Sequence, residues 1–250
     1  MLELVENFWN KQPCNIKHSS KKFLSLDYFE EVSRKRYTVE PHIKNFVKFK
    51  NYKKKSVLEI GCGIGSDAVE FIKAGADYTG IDLSKESIKI TRERFKKYNL
   101  QGTLILGNCE EFDLSRKFDL IYSFGVLHHT PSIERAIDSI HRHAHLSTRI
   151  KIMLYAKHSY KNIMILENLD RPENQKECPI AHTYTKKEIE KLFNKFTIVS
   201  CEKKHIFPYK IPEYKKGILE KEDYFKVMPA PIFNALEKHL GWHYLIELTL

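Results

Sequence analysis

The sequence predicts an α/β fold built on an open, doubly wound, mostly parallel sheet. Two observations carry that prediction. Between Ser56 and Tyr155, short apolar runs alternate with amphipathic stretches of helical spacing, and three of the chain's ten glycines fall at Gly61, Gly63 and Gly65, directly after the first run. Alternation of this kind joins parallel strands through right-handed crossovers, and a glycine cluster at the first strand's carboxyl end suits a sharp turn with a ligand against the backbone. With 250 residues, 42% of them hydrophobic, the chain is long enough for one large domain with elaborations.

In chain order, a helical stretch from Asp27 to Lys50 comes first, and Pro41 should bend or restart it. The strand candidates are SVLEI (56–60), DYTGIDL (77–83), TLILG (103–107), FDLIYSF (118–124) and IKIMLY (150–155). Helices fit the intervening SDAVEFIKAGA, SKESIKITRERFKKYNL and SIERAIDSIHRHA, with Ser84 as N-cap of the second. After Tyr155 the rhythm changes. Thr185 and Glu188 are spaced as a capping box ahead of a helix, a strand follows in TIVSCEKK, and His205 to Pro231 is rich in Tyr, Pro and Lys. A short helix PIFNALEKHL and an alternating segment WHYLIELTL, suited to an edge strand, complete the chain.

Composition excludes several classes. No apolar run is long enough to span a bilayer, and Met1 to Asn10 carries Glu3 and Glu6 where a signal peptide wants positive charge, so the expected location is cytoplasmic. Cys14, Cys62, Cys109, Cys178 and Cys201 are odd in number, widely spaced and without a C-x-x-C pair, which argues for reduced thiols and against a structural zinc site. His141, His143 and His145 invite a metal reading, but no carboxylate supports them and no metal is expected there. The net charge of +10 comes from scattered lysine pairs and triplets, a pattern compatible with a solvated surface or an anionic partner.

The glycine spacing is Gly61-x-Gly63-x-Gly65, with Ser66 where a dinucleotide fingerprint needs its third glycine, which disfavours a dinucleotide oxidoreductase. Glu59 precedes the loop and Asp82 ends the next strand. A carboxylate at Glu59 repels a pyrophosphate and welcomes an ammonium, and one at Asp82 is placed to grip a ribose diol.

VLEIGCGIGSD, followed by GIDLS, GNCEEFD and FDLIYSFGVLHHTP, resembles the motif series of class I S-adenosylmethionine-dependent methyltransferases, in particular the small-molecule branch. The resemblance covers about Ser56 to Tyr155. It implies a Rossmann-like seven-stranded sheet with an antiparallel last strand, and S-adenosyl-L-methionine as cofactor, leaving as S-adenosyl-L-homocysteine. The whole chain, 1–250, then divides into a helical N-terminal lid (1–55), a cofactor-binding core (56–156), and substrate-side elements with an insertion before the last strand (157–250). Carried across by position, Glu59, Gly61, Cys62, Gly63 and Gly65 would hold the methionine part, and Asp82 both ribose hydroxyls, with Ile81 or Leu83 against the adenine. Asn108, Cys109 and Glu110 would lie beside the adenine, Asn108 replacing the family's usual aspartate. Ser123 and Phe124 would offer backbone carbonyls to the methionine ammonium.

Methyl transfer from a sulfonium is an in-line displacement, so the protein has to align the acceptor and, for a hydroxyl, remove a proton. His128 is the leading base candidate and Tyr37 the preferred lid tyrosine; His129, His42 and His205 are the other imidazoles in contention. Tyr28, Arg36 and Glu40 from the N-terminal flank, Tyr155 to Lys161, and Tyr209, Lys210 and Tyr214 from the far end are candidates for the acceptor wall. The expected partner is a small-molecule acceptor, anionic if the basic charge is functional. Nucleic acid is not favoured, because the Asn-Pro-Pro-aromatic tetrapeptide expected after the fourth strand is absent and no Pro-Cys pair occupies a nucleophile position. A tRNA or rRNA methyltransferase and a non-catalytic cofactor-binding protein are the competing readings, and the oligomeric state is open.

Overall fold

Strand β1 (Ser56–Ile60) shows how the fold is organised, since its alternate residues face opposite layers. Val57 packs with Phe71, Tyr78 and Tyr122 on one side, and Leu58 and Ile60 pack with Ile121, Ile137 and Ile152 on the other. A parallel strand buried on both faces is apolar nearly throughout, and Glu59 is the exception. The computed structural model describes residues 1–170 and 178–250. Residues 171–177, within the predicted 157–250 segment, lie outside it.

The core continues as α4 (Ser66–Lys73), β2 (Asp77–Asp82), α5 (Lys85–Tyr98), β3 (Thr103–Leu106), β4 (Phe118–Phe124), α6 (Ile133–Arg142) and β5 (Ala144–Tyr155). Ahead of it come α1 (Leu2–Lys11), α2 (Leu26–Val39) and α3 (His42–Val47), with Pro41 at the α2–α3 break as its missing N–H demands. Beyond it lie α7 (Tyr160–Leu166), α8 (Lys186–Leu192), β6 (Thr197–Lys204), α9 (Ile211–Lys215), α10 (Asp223–Lys226), α11 (Ala230–Leu240) and β7 (His243–Thr249). Among the described residues the strands form one seven-stranded sheet in the order β3-β2-β1-β4-β5-β7-β6, with β7 antiparallel to both neighbours.

Local chemistry sets the helix ends. The Ser84 hydroxyl accepts from the Ser87 amide at 3.1 Å to start α5, and Asn99, at φ 51°, ends it in the left-handed conformation. Thr185 and Glu188 form a reciprocal capping box on α8. In α6, Ile133, Ala136, Ile137 and Ile140 make one buried stripe. Among the described residues, no helix is long and apolar enough to cross a membrane.

Two expectations are corrected. WHYLIELTL is not an edge strand: β7 runs between β5 and β6, and His243, Tyr244, Leu245, Ile246 and Leu248 are buried. Each such apolar side chain contributes roughly 1.5–3 kcal/mol by burial. The fifth strand begins at Ala144, not Ile150, because Thr148 folds back to bond the Phe118 carbonyl at 2.6 Å and continues the pairing with β4.

Candidate functional site

At the end of β1 the chain turns through Gly61, Gly63 and Gly65, all at positive φ (76°, 53° and 77°). At Gly61 a Cβ would lie 2.2 Å from Val126 Cγ2, which no side chain survives. Gly63 differs, because nothing lies within 4 Å of where its Cβ would be. This glycine opens the backbone to a cavity, and its amide donates to Asp82 Oδ2 at 2.7 Å. Asp82 Oδ1 accepts from the Ser84 amide at 2.8 Å, so the two backbone bonds hold the carboxylate between β2 and the glycine bend. Burial pushes Asp82 up to about 6 in spite of these two N–H donors.

Behind the bend lies a buried ionic knot. Asp67, in the first turn of α4, accepts from Arg36 Nη2 at 2.7 Å and Nε at 3.2 Å, from the Tyr37 hydroxyl at 2.7 Å and from the Tyr122 hydroxyl at 2.8 Å. Burial alone would raise its pKa, but the fork of Arg36 and these donors hold its carboxyl below the ordinary range. Among the described residues Glu59 has one hydrogen-bond donor, the Tyr78 hydroxyl, at 2.6 Å. Burial, reinforced by the negative Asp67, pushes Glu59 well above the usual carboxylate value. Of the two neighbouring acids, Asp67 is the one held toward its ionised form and Glu59 the one held toward its protonated form.

Most of the expected residues line this one cavity. Glu59, Gly61, Cys62 and Gly63 form its floor, Asp82 and Leu83 one side, Asn108 and Cys109 the next, and Phe124 the wall after β4. The Asn108 side-chain oxygen accepts from the Glu110 amide at 3.0 Å, ordering that loop.

Five expected residues lie elsewhere. Gly65 does not line the cavity and serves as the left-handed N-cap of α4. Glu110 turns away and accepts from the Ser132 amide at 2.8 Å, at the start of α6. Ser123 is fully buried inside the sheet, paired level with Ile60 and Ile152. Tyr37 is no lid residue, since its hydroxyl is committed to Asp67. His128 does not reach the cavity: its ring is fully buried with its centroid 3.7 Å from that of Tyr155, and neither nitrogen has a hydrogen-bond partner among the described residues. Burial, with His129, His182 and Lys161 nearby, holds His128 well below its ordinary pKa, and hence neutral.

Of the two adjacent imidazoles, His129 is the one that lines the cavity; it is the next residue in the same single turn (Leu127–His129). Its Nδ1 lies 2.6 Å from the Ile180 carbonyl. A carbonyl only accepts, so Nδ1 carries the hydrogen and Nε2 is the basic nitrogen.

Sequence reasoning missed part of the wall. Leu2, Val5 and Trp9 of α1 close one side, with the Trp9 and His129 rings 5.2 Å apart. The i, i+3, i+7 spacing of these three residues was the signal available. Met153 and His243 complete the far wall, and Arg36, Glu40 and Tyr155, expected as acceptor wall, are there too. His205 and Tyr214 line a second, adjoining cavity, which shares Arg36, Glu40 and His243 with the first. Tyr209 and Lys210 line neither cavity. Tyr28 is core, its hydroxyl donating to the Ile16 carbonyl at 2.7 Å. His143 is buried and spans Ser139 and Leu114 as a structural tie.

Residues 57–145 match the family described as a methyltransferase domain. A ubiquinone biosynthesis O-methyltransferase of Psychrobacter arcticus is 28% identical over 141 residues, 55% of this chain and 54% of that protein. The corresponding protein of Pelagibacter ubique is 32% identical over 116 residues, 45% of this chain and 48% of its own. The chain thus spans about half the length of the curated relatives it matches. Among solved structures, magnesium protoporphyrin IX methyltransferase from Synechocystis, with S-adenosylhomocysteine bound, superposes with a TM-score of 0.65 at 15% identity, covering 99% of this chain and 98% of that one. At that identity the likeness shows the fold.

Proposed function

From the premise that this chain carries a class I S-adenosylmethionine-dependent methyltransferase domain, we propose that it transfers the methyl group of S-adenosylmethionine to a hydroxyl of a small, largely apolar or aromatic acceptor. The observation that carries the reading is the open backbone at Gly63 with the Asp82 carboxylate fastened beside it. The residues present fit the cofactor. Glu59 offers a carboxyl to its ammonium, Asp82 still has lone pairs for a ribose diol, and Leu83, Asn108 and Cys109 would flank the base. When bound, the cofactor supplies an electrophilic methyl on sulfur.

The protein's own part is to exclude water, orient the acceptor and take its proton. Trp9, Met153 and Tyr155 give the acceptor an apolar, aromatic wall. Among the described residues lining the cavity the only Lys or Arg is Arg36, and Asp67 and Glu40 already engage it, at 2.7 and 3.5 Å. This favours an uncharged acceptor over an anionic one. His129, with Nε2 as its basic nitrogen, is the general base of this reading in place of His128.

The test is incubation of the purified protein with methyl-labelled cofactor and a bacterial metabolite extract. Label is expected in an organic-extractable small molecule, and its absence at saturating cofactor would count against the reading. With that acceptor in hand, His129→Gln should lower kcat by about 10²–10⁴ and leave cofactor affinity within a few-fold. A fall below threefold would remove His129 from the chemistry.

The pH dependence of cofactor binding has a definite sign. Glu59 and Asp82 both have raised pKa values, Asp82 at about 6, and both must be ionised to meet an ammonium and a diol. Binding therefore expels protons, and affinity should weaken by up to about tenfold per pH unit for each of the two groups as pH falls below its pKa, about 6 for Asp82. Titration calorimetry from pH 5 to pH 8 checks this, and a flat profile would contradict it.

A further inference from the structure

Where the two cavities adjoin, Glu40, His205 and His243 each present one ligand atom, all within 4.8 Å of one another. These residues come from the end of α2, the segment after β6 and the start of β7, so the sheet topology itself assembles them. We infer that Glu40, His205 and His243 form a binding site for a borderline divalent transition metal of the zinc class.

Three features support a built site over a chance cluster. First, His243 Nδ1 is 3.0 Å from His42 Nε2, a contact between two buried rings that engages Nδ1 and leaves Nε2 directed at Glu40 Oε1, 3.8 Å away. Metal-bound imidazoles are oriented in this way by a partner on the other ring nitrogen. Second, Glu40 Oε2 lies 3.5 Å from Arg36 Nη1, so the guanidinium holds one carboxylate oxygen while the other faces the imidazoles. Third, His205 sits at φ 75°, a left-handed conformation that costs a non-glycine residue free energy. Two bonds hold it there: its amide donates to Glu237 Oε1 at 3.0 Å, and its carbonyl accepts from the Trp242 amide at 2.9 Å. The result is a His205 ring stacked on that of His243 at 4.6 Å between centroids.

The ligand set is two imidazoles and one carboxylate, the composition of three-ligand zinc sites that keep an open position. Zinc–ligand bonds of about 2.0–2.1 Å place tetrahedral ligands about 3.4 Å apart, so the atoms have to draw together by up to about 1.4 Å, within reach of side-chain rotation. Arg36, Lys161 and Lys204 are cations near the cluster; Asp67 and Glu40 engage the first and Glu237 the last. The open coordination position would face the acceptor cavity and suit an acceptor oxygen. That last step rests on the methyl-transfer reading; metal binding itself does not.

The experiment uses the full chain without an affinity tag, dialysed against a chelator and titrated with ZnCl2 by calorimetry, with Co²⁺ as a spectroscopic probe. One zinc per chain is expected, with visible cobalt bands of a low-symmetry nitrogen and oxygen site. Removing the group that holds a ligating imidazole in place costs about 10–100-fold in affinity, so His42→Ala should fall in that range and His205→Asn, which loses a ligand, should lose at least about 100-fold. Asparagine tolerates the left-handed backbone at position 205, so this variant should fold, as circular dichroism would verify. His205→Asn should also bind S-adenosylmethionine as the unmodified chain does, so a failed metal site and a failed cofactor site give different results. No zinc uptake, or equal zinc affinity in His205→Asn, overturns the inference.

Discussion

Asp82→Ala is expected to weaken S-adenosylmethionine binding by at least about 100-fold. Two hydrogen bonds from a ribose diol to a carboxylate are each worth about 1.5–3 kcal/mol, and about 1.4 kcal/mol is a factor of ten. The substitution also frees the Gly63 and Ser84 amides, which now meet at the carboxylate from 2.7 and 2.8 Å, so the bend loses its anchor as well as its ligand contact. Asp82→Asn separates the two effects. It keeps the size and one acceptor oxygen but no charge, and should cost about tenfold. Calorimetric titration of both variants measures this, and a loss under threefold in Asp82→Ala would mean that the cofactor does not lie on the bend.

The parts of the molecule legible in the sequence are those governed by short-range periodicity. The sheet from Ser56 to Tyr155 reads directly because β1 is a short apolar run buried on both faces and every third or fourth residue of α6 is buried. The capping residues Ser84 and Thr185 read equally well, since a cap needs only its own helix. The position of β7 did not, because an alternating strand looks the same whether one neighbour pairs with it or two. Here β6 crosses over to the far side, a long-range choice. The same limit explains the histidines. His128 and His129 share one tight turn, and which ring faces the cavity depends on Tyr155 packing beneath the first and Ile180 binding the second. Tyr37 was misjudged for a different reason: its partner Asp67 is 30 residues away in sequence, and an aromatic at a helix surface carries no mark of a buried carboxylate opposite.

Arg36→Met should be the most destabilising single change near the site. It leaves Asp67, only 3% exposed, as a buried carboxylate with two tyrosine hydroxyls and no counter-charge. Breaking a buried pair by removing one partner costs about 3–5 kcal/mol, and at about 2–4 °C per kcal/mol for a chain of this size Tm should fall by about 10 °C. Asp67 has a depressed pKa, so its contribution is present above the ordinary carboxylate value of 3.8 and is lost only as pH falls through the lower value in the folded state. The destabilisation should therefore be full at pH 7. Arg36→Met with Asp67→Leu should recover much of the loss, because two apolar groups replace a charge pair that was costly to desolvate. If the single variant melts within about 2 °C of the unmodified chain, the knot is not what holds α2 against α4. The change also reaches the ligand. Arg36 is the cation that restrains the Glu59 pKa, and without it Glu59 holds its proton more tightly. Cofactor affinity in Arg36→Met should then fall at neutral pH and recover as pH rises, a coupling that a purely structural loss would not produce.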